Sequence, residues 1–191
     1  NRTTHRKGVK ALGSFKSNVL LGILDGRLYV ITAFLDHVTN DEFVNWYYYQ
    51  KDYVRDRTTI CNYIENNKLQ DPFYEQVFKP LFLQKAIERK FIISIAPDQT
   101  SLASADAPEL KATSGAAQPW AGNLIFNIAE KENPHMQRLE EQFKLFDDGL
   151  PAPADGPDAV EGGYFVAQRK VAAITPTAWS IGTRPVNKKR Y

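Results

Sequence analysis

Cysteine is nearly absent from this chain of 191 residues, which contains Cys61 alone. A single cysteine excludes a disulfide within the chain and favours a reducing compartment or a fold that needs no bridge. Metal sites need clustered histidine, cysteine or carboxylate ligands. The three histidines, His5, His37 and His135, lie far apart in the sequence, so we expect no metal site.

Long apolar runs are also missing. The longest, residues 19–35, is interrupted by Asp25-Gly26-Arg27, whereas a membrane-spanning helix needs about 20 apolar residues with few charges. We therefore expect no transmembrane helix, and the start shows no signal-peptide pattern. A soluble protein, intracellular or part of a particle rather than secreted, is the expectation. Because the first residue is Asn1 rather than methionine, a removed targeting segment stays an open alternative.

Catalytic motifs are lacking as well. No glycine-rich phosphate loop is present. Cys61 falls on the apolar stripe of a predicted helix, where a small buried thiol is the expected role. His37 is a lone histidine before a helix, and a protonated His135 would oppose the dipole of the helix that it begins. The sequence therefore predicts no catalytic residue and no cofactor, and we expect the protein not to be an enzyme.

Charge is distributed unevenly, although the net charge is only +2. Eleven basic and no acidic residues occupy the two ends, residues 1–16 and 168–191. The other 13 basic residues share the middle of the chain with all 22 acidic ones. This asymmetry is typical of arms that bind a negative surface, either nucleic acid or the acidic body of a neighbouring copy. The predicted contact residues are Arg2, Arg6, Lys7, Lys10, Lys16, Arg184, Lys188, Lys189 and Arg190.

A β-hairpin is predicted near the start of the body. Residues 18–24 and 27–34 are β-rich runs that flank Asp25-Gly26. This is the strongest short hairpin signal, because both turn residues need positive φ. The strands are largely apolar on both faces, so we expect the hairpin to be covered on both sides.

A capping box follows the hairpin. Thr39 and Glu42 each satisfy an orphan amide at a helix start, and the apolar pattern predicts a helix that extends to about Asn66. Its first half should be deeply buried or shared with a partner. The aromatic run 47–49 is interpreted as core, although it could also offer stacking faces to nucleic-acid bases.

Later elements alternate between helices and short strands. Asp71-Pro72 begins a helix that Pro80 should kink or divide. Strands are predicted over residues 91–95 and 123–129. A helix with an apolar face starts at Asn133-Pro134 and ends near Gly149. The last predicted elements are a loop up to Gly163 and a strand over residues 164–174.

Together these elements predict an α+β fold. A hairpin and further strands form a mostly antiparallel sheet packed by two to four helices, in a single domain over residues 17–174. Residues 97–122, rich in alanine, serine and proline, are predicted as a long irregular loop that is either functional or disordered. Residues 1–16 form a basic arm and residues 175–191 a basic, extended tail.

Two tryptophans stand in segments without predicted secondary structure. Trp120 lies in the long loop and Trp179 in the basic tail. A tryptophan buries on the order of 200 Å², so each is expected to anchor its segment. The anchored surface is either the protein's own domain or another chain, since tryptophan is enriched at interface hot spots.

The leading functional hypothesis is a non-enzymatic assembly subunit, coat-like or accessory, whose arms contact neighbouring subunits or nucleic acid. No sequence-reading module is visible, so nucleic-acid contact would be non-specific and salt-sensitive. A second hypothesis is a binding module with an apolar pocket for a small ligand or peptide, walled by Trp46, Tyr49 and Tyr53. A third is an enzyme in which His37 or His135 meets a carboxylate in a cleft.

Overall fold

The computed structural model of the protein describes residues 15–65, 71–98, 122–145 and 154–174, and it confirms the α+β class. In chain order the elements are β1 (Lys16–Leu24), β2 (Arg27–Asp36), α1 (Asn40–Val54), β3 (Asn62–Glu65), α2 (Asp71–Phe73), a π-helical turn (Tyr74–Phe78), α3 (Lys79–Arg89), β4 (Ile95–Asp98), β5 (Leu124–Phe126), a 3₁₀ turn (Ile128–Glu130), α4 (Pro134–Leu145) and α5 (Asp155–Ile174). The main sheet has the order β1-β2-β5, in which β1 and β2 are antiparallel and β5 is parallel to β2. Strands β3 and β4 form a separate parallel pair.

The predicted hairpin is confirmed. Asp25 and Gly26 adopt φ values of 51° and 74°. Positive φ at both turn positions gives the turn a twist that matches the twist of the flanking strands. Pairing runs from Leu24 opposite Arg27 down to the open end of the hairpin.

A β-bulge at Ile31 keeps both halves of β2 facing one core. Leu20 pairs with Thr32 and Leu21 pairs with Val30, so Ile31 has no partner across the hairpin. One extra residue shifts the alternation of side chains by one position. Side chains on either side of the bulge therefore share a face. The buried members of this face are Leu28, Val30, Ala33 and Leu35.

The first hydrophobic core lies between this face and helices α4 and α5. Helix α4 begins at Pro134 as predicted, and its Met136 and Leu139 are almost completely buried. Val160 of α5 completes the buried cluster. Phe15 and alternate residues of β1 pack around its border.

Helix α5 overturns the prediction of a loop up to Gly163 followed by a strand. The helix covers Asp155–Ile174 without interruption. Its glycines, which suggested a loop, instead allow close packing. A Cβ atom on Gly163 would lie 2.5 Å from Leu21 Cδ1, and one on Gly156 would lie 2.5 Å from Leu139 Cδ1. Tertiary packing here outweighs the low helix propensity of glycine.

Helix α1 begins at the predicted capping box. Thr39 Oγ1 accepts a hydrogen bond from the Glu42 backbone N–H at 3.2 Å. Of the three consecutive tyrosines, Tyr47 and Tyr48 are buried, whereas Tyr49 is 38% exposed. Burial raises the pKa of Tyr47 far above its ordinary value. The first half of this helix is deeply buried, as expected.

The end of α1 differs from the prediction. The helix ends at Val54 rather than near Asn66. The Arg57 side chain caps the C-terminal end of the helix, because it donates to the last two helical carbonyl groups. The β-branched residues 58–60 that follow have a lower helix propensity. Cys61 lies beyond the helix and is exposed, so its expected place on a buried helical stripe is wrong.

Residues 71–89 form a helix that changes pitch just before Pro80. Asp71 begins it as predicted. In the π-helical turn, the Lys79 N–H donates to the Tyr74 carbonyl, five residues back. A proline inside a helix lacks a donor and clashes with the carbonyl four residues earlier, and the wider turn precedes this position. The expected division of the helix therefore takes the form of a π turn between α2 and α3.

Two of the predicted strands are displaced or shortened. The strand expected over residues 91–95 begins only at Ile95, and Ile92 is 76% exposed. The strand expected over residues 123–129 is reduced to Leu124–Phe126 and is followed by the 3₁₀ turn. The predicted irregular segment starts inside β4, and its residues 99–121 lie outside the described part of the chain.

The second face of the main sheet is covered only in part. Near the open end of the hairpin, α1 lies over it, and Gln50 Nε2 donates to the Asn18 carbonyl at 3.4 Å. Near the hairpin turn, Tyr29 and Ile31 are only half-buried and Leu24 is 62% exposed. Among the described residues, both faces are therefore covered only near the open end of the hairpin.

The second hydrophobic core joins α1 to α3 and the small sheet. Its aromatic side chains pack edge to face, as between Tyr47 and Phe82 with ring centroids 5.3 Å apart. Phe34 of β2 stacks on Trp46 at 5.6 Å and links this core to the main sheet. The buried members are Phe43, Val44, Trp46, Tyr47, Tyr48, Ile64, Phe82 and Ile93.

Candidate interaction surfaces

Lys16 is the only predicted arm residue within the described ranges. It is the first residue of β1 rather than part of a separate arm, and its Nζ donates to the Val38 carbonyl. Partial burial lowers the pKa of Lys16. Arg169 and Lys170, counted with the basic end, belong to α5. The remaining predicted contacts and anchors lie outside the described residues: Arg2, Arg6, Lys7, Lys10, Trp120, Trp179, Arg184, Lys188, Lys189 and Arg190.

Phe15 marks the root of the N-terminal arm. Its backbone N–H donates to Asp155 Oδ2 at 3.2 Å. Its ring lies 3.9 Å from the His37 ring, and the Arg138 guanidinium carbon lies 5.7 Å from its centroid. Contacts from the start of α5, from α4 and from the end of β2 therefore fix the point at which the basic segment meets the body.

A charged pair stabilises the same region. Arg138 lies 3.0 Å from Asp36 Oδ2 and also donates to the Leu35 carbonyl. The His37 backbone N–H donates to Asp36 Oδ1 at 2.7 Å. This backbone hydrogen bond and, to a smaller extent, Arg138 lower the pKa of Asp36. The carboxylate is thus already engaged by structural partners.

His135 is close enough to Asp36 to contribute to the lowered pKa of that carboxyl group, but the ring of neither described histidine is hydrogen-bonded to a carboxylate. His135 Nδ1 lies 3.0 Å from the Leu35 carbonyl oxygen, and its ring packs against Phe34 and Trp46. The exposed His37 ring packs on Phe15. Among residues 15–65, 71–98, 122–145 and 154–174, no imidazole is hydrogen-bonded to Asp or Glu.

Carboxylates cluster on the first half of α5. Partial desolvation raises the pKa of Asp158, and the neighbouring charges of Asp155 and Glu65 add to the effect. Desolvation and Asp158 likewise raise the pKa of Glu161. No ion pair between described residues joins Asp158 or Glu161 to a basic side chain. This acidic patch, defined as Glu65, Asp155, Asp158 and Glu161, therefore carries negative charge with no described counter-charge.

We expect Glu161→Gln to raise the melting temperature at pH 7 by about 1–2 °C. The Glu161 carboxylate is partly solvated, so removing its charge should change the free energy of unfolding by less than about 1 kcal/mol. A raised carboxyl pKa means that the folded state binds the proton more tightly, so ionisation costs stability as the pH rises. The gain should vanish below about pH 4, where the carboxyl is protonated in both states. Thermal melts from about pH 3 to pH 7 measure this change in melting temperature. Glu141→Gln, at an exposed site on α4, is the control, and an equal gain there would contradict the cause.

Two open clefts lie among the described residues. The small-sheet cleft, of about 290 Å³, opens where the chain approaches β3 and β4, and its lining includes Lys51, Ile60, Asn62, Phe91, Ile92 and Ser94. The sheet-face cleft, of about 300 Å³, lies on the uncovered part of the main sheet, and its side chains include Tyr29, Ile31, Ile125 and Ile128. Sequence reasoning missed both clefts, since each combines segments distant along the chain.

The aromatic residues expected to wall a pocket lie elsewhere. Trp46 is 2% exposed and packs between Phe34 and His135. The Tyr53 hydroxyl lies 3.4 Å from Asn127 Nδ2 in a polar contact. Neither of these aromatic residues lines either cleft. Tyr49, the third residue expected in the pocket wall, likewise lines neither of these two clefts.

Other classes of site are not found in the described part of the chain. No group of three His, Cys, Asp or Glu residues there could hold a metal ion. Within the same ranges, no helix has both the length and the apolar character required to cross a bilayer. No family model, curated protein or solved structure matches the chain.

Proposed function

We propose that the protein is a non-enzymatic structural subunit of a larger assembly, coat-like or accessory. Its basic arms and tryptophan-bearing segments contact neighbouring subunits or nucleic acid. The observation that carries the proposal is the division of charge between ends and body, together with the firmly held root of the N-terminal arm at Phe15. A fixed root allows a basic segment to be presented in one direction from the body.

The two arms leave the body at separate places. Helix α5 starts beside Phe15, where Asp155 accepts the backbone hydrogen bond. Its last residue, Ile174, lies about 30 Å along the helix axis, since a 20-residue helix rises 1.5 Å per residue. Arms attached this far apart can reach two different neighbours, which suits a repeating assembly.

The acidic patch on α5 supports contact between subunits. The described residues supply like charges around Asp158 and Glu161 rather than counter-charges. Bringing a basic arm of a neighbour to this surface would relieve that repulsion. Nucleic acid would instead bind the arms through its phosphates and compete with the patch for them.

Light scattering coupled to size exclusion, at low and high salt and with absorbance at 260 and 280 nm, tests the proposal. We expect particles much larger than one chain that dissociate in high salt. A high 260/280 ratio would place nucleic acid on the arms, and a low ratio would place them on neighbouring subunits. A monomer at both salts, in the presence of candidate partners, would contradict assembly.

A matched pair of triple variants assigns the effect to the arm. Lys188→Gln/Lys189→Gln/Arg190→Gln should shift the particle population toward monomer by about tenfold or more, because several charge contacts are lost together. The control is Lys90→Gln/Lys131→Gln/Lys144→Gln, which removes the same charge from exposed positions on the body. Equal dissociation of both variants would show an effect of net charge alone.

The small-sheet cleft favours a second candidate, a binding module for a small ligand or peptide. Apolar Ile60, Phe91 and Ile92 share this cleft with polar Asn62 and with Lys51. Five of its nine lining residues are polar, and polar groups beside apolar side chains can orient a bound ligand. If the protein is a monomer in the scattering experiment, binding of a small ligand or peptide at this cleft becomes the favoured function.

A further inference from the structure

The sheet-face cleft is an apolar surface that lacks a cover among the described residues. Its Tyr29 and Ile31 come from β2, and Ile125 and Ile128 come from β5 and the following turn. Ile128 is 79% exposed. The same region includes the exposed Leu24 at the hairpin turn. A contiguous apolar surface of this kind indicates a missing contact.

The chain that leads into β5 arrives at this cleft. Gly122 has a φ of 81° and forms a turn with Asn123, and the Leu28 N–H donates to the Asn123 carbonyl. β5 is thus entered at the hairpin-turn end of the sheet, which is the end where the second face is uncovered. Trp120 stands two residues before Gly122 in the sequence.

We propose that Trp120 of the same chain docks in the sheet-face cleft. Its Cα is four residues from that of Leu124, a separation of at most about 14 Å even when fully extended. Ile125, which lines the cleft, lies one residue further along the chain. The left-handed turn at Gly122 bends the chain between the tryptophan and the strand. The length of chain between Trp120 and β5 therefore allows the indole to reach the cleft.

The size and chemistry of the cleft suit an indole ring. A volume of about 300 Å³ lies at the lower end of the range for ligand pockets, which suits one large side chain rather than an extended ligand. Its side chains are aliphatic or aromatic except for Asn127 at the border. A tryptophan there would cover on the order of 200 Å² of apolar surface.

The indole N–H also has acceptors nearby. The Leu28 N–H donates to the Asn123 carbonyl group, and the Asn127 N–H donates to the Val30 carbonyl group. These two hydrogen bonds show which residues of β5 direct their backbone groups toward β2. Alternate residues bond to one neighbouring strand, so Leu124 and Phe126 turn their carbonyl groups away from β2. These carbonyl groups at the sheet edge can accept the indole hydrogen bond that a buried tryptophan requires.

A tether of a few residues favours Trp120 over an occupant from another molecule. Short linkers give effective concentrations in the millimolar range, well above ordinary protein concentrations. Docking by the same chain closes only a short loop, and the cost of closure grows slowly with loop length. Docking on its own domain takes the Trp120 side chain out of the contacts proposed above with neighbouring subunits, which fall to the arms, to Trp179 and to the rest of the loop. The docking itself needs neither a partner nor a charged arm.

NMR of protein labelled at the isoleucine δ1 methyl groups tests the contact. We expect Trp120→Ala to shift the Ile31, Ile125 and Ile128 methyl resonances, because the ring current of the indole is lost. Ile64 and Ile93, in the second core, should keep their positions and so report an intact fold. Trp179→Ala is the matched control and should leave all five resonances in place.

Three results would overturn the proposal. The first is an unchanged set of cleft methyl groups in Trp120→Ala while the fold is intact. The second is an equal effect of Trp179→Ala, which would assign the cleft to the tail. The third is a shift that disappears on tenfold dilution of the wild-type protein, which would assign the cleft to a second copy. Salt-resistant monomers with the expected methyl shifts would contradict assembly and still support docking of Trp120.

Discussion

Replacing Gly156 with alanine should lower the free energy of unfolding by about 1–3 kcal/mol, the usual cost of overpacking, although alanine is the better helix former. The added Cβ would lie 2.5 Å from Leu139 Cδ1, 2.8 Å from Gln142 Oε1 and 3.2 Å from Leu35 Cδ2. Both leucines are fully buried in the first core, so they cannot move without disturbing it. Gln142 also accepts the Gly156 N–H at 2.8 Å, a contact that the new methyl group would displace.

Gly162→Ala is the matched control on the same helix. Among the described residues, no atom outside the neighbouring helix backbone lies within 4 Å of a Cβ built there. The substitution should therefore raise the free energy of unfolding by up to about 1 kcal/mol through helix propensity. Urea denaturation of both variants measures the difference. Destabilisation by both substitutions would contradict the steric explanation.

A double variant identifies the contact responsible. Leu139→Ala alone should cost about 2–5 kcal/mol, but it also vacates the space that a Cβ on residue 156 would enter. Leu139→Ala/Gly156→Ala should therefore lose at least about 0.5 kcal/mol less than the sum of the single losses. Simple additivity would place the strain elsewhere.

Trp46→Ala should be the most damaging substitution in the second core, with an expected loss of about 3–5 kcal/mol. Trp46 is 2% exposed and contacts Phe34 of the main sheet, Phe43 of its own helix and His135 of α4. Its removal therefore weakens α1 and also the junction between the two cores. Against a typical total stability of about 5–15 kcal/mol, this loss is a large fraction.

The control for Trp46 lies one turn further along the helix. Tyr49 is 38% exposed, so Tyr49→Ala should cost about 1 kcal/mol, near the average for a point substitution. Chemical denaturation measures both variants. Similar losses for the two positions would contradict the central place assigned to Trp46.

Element starts could be predicted because their chemistry is local. The Asp25-Gly26 turn and the Thr39 cap act through neighbouring backbone groups. The helix expected at Asp71-Pro72 also begins there. The end of α1 could not be predicted in this way, because it depends on pairing between strands that are far apart in the sequence. Residues 60–64 fit the apolar stripe of a helix, but pairing of Asn62–Glu65 with β4 determines their conformation.

Helix α5 shows a further limit of local rules. Gly162-Gly163 indicates a loop when only propensity is considered. The contact of Gly163 with Leu21 of β1 is invisible without the fold, and it favours the residue that the propensity scale penalises. The same reasoning applies to Gly156 against Leu139.

Of the candidate interaction surfaces, only the basic ends could be predicted from the sequence. The basic ends are apparent from composition, whereas the acidic patch unites Glu65 with Asp155 and Asp158 from a distant helix. The sheet-face cleft similarly combines residues of β2 and β5. Nothing in the spacing of Tyr29 and Ile125 along the chain indicates that they share a surface, because the parallel pairing of these strands is a tertiary contact.

The packing of the last helix on the first strand also has a consequence for biosynthesis. The Phe15 backbone N–H donates a hydrogen bond to the Asp155 carboxylate, 140 residues later in the chain. Leu21 of β1 packs against Gly163 of α5. At a synthesis rate of about 5–20 residues per second, the hairpin waits on the order of ten seconds for the helices that cover its apolar face. The nascent chain therefore exposes this face until α4 and α5 have been synthesised, and a transiently exposed apolar surface of this kind is prone to aggregation.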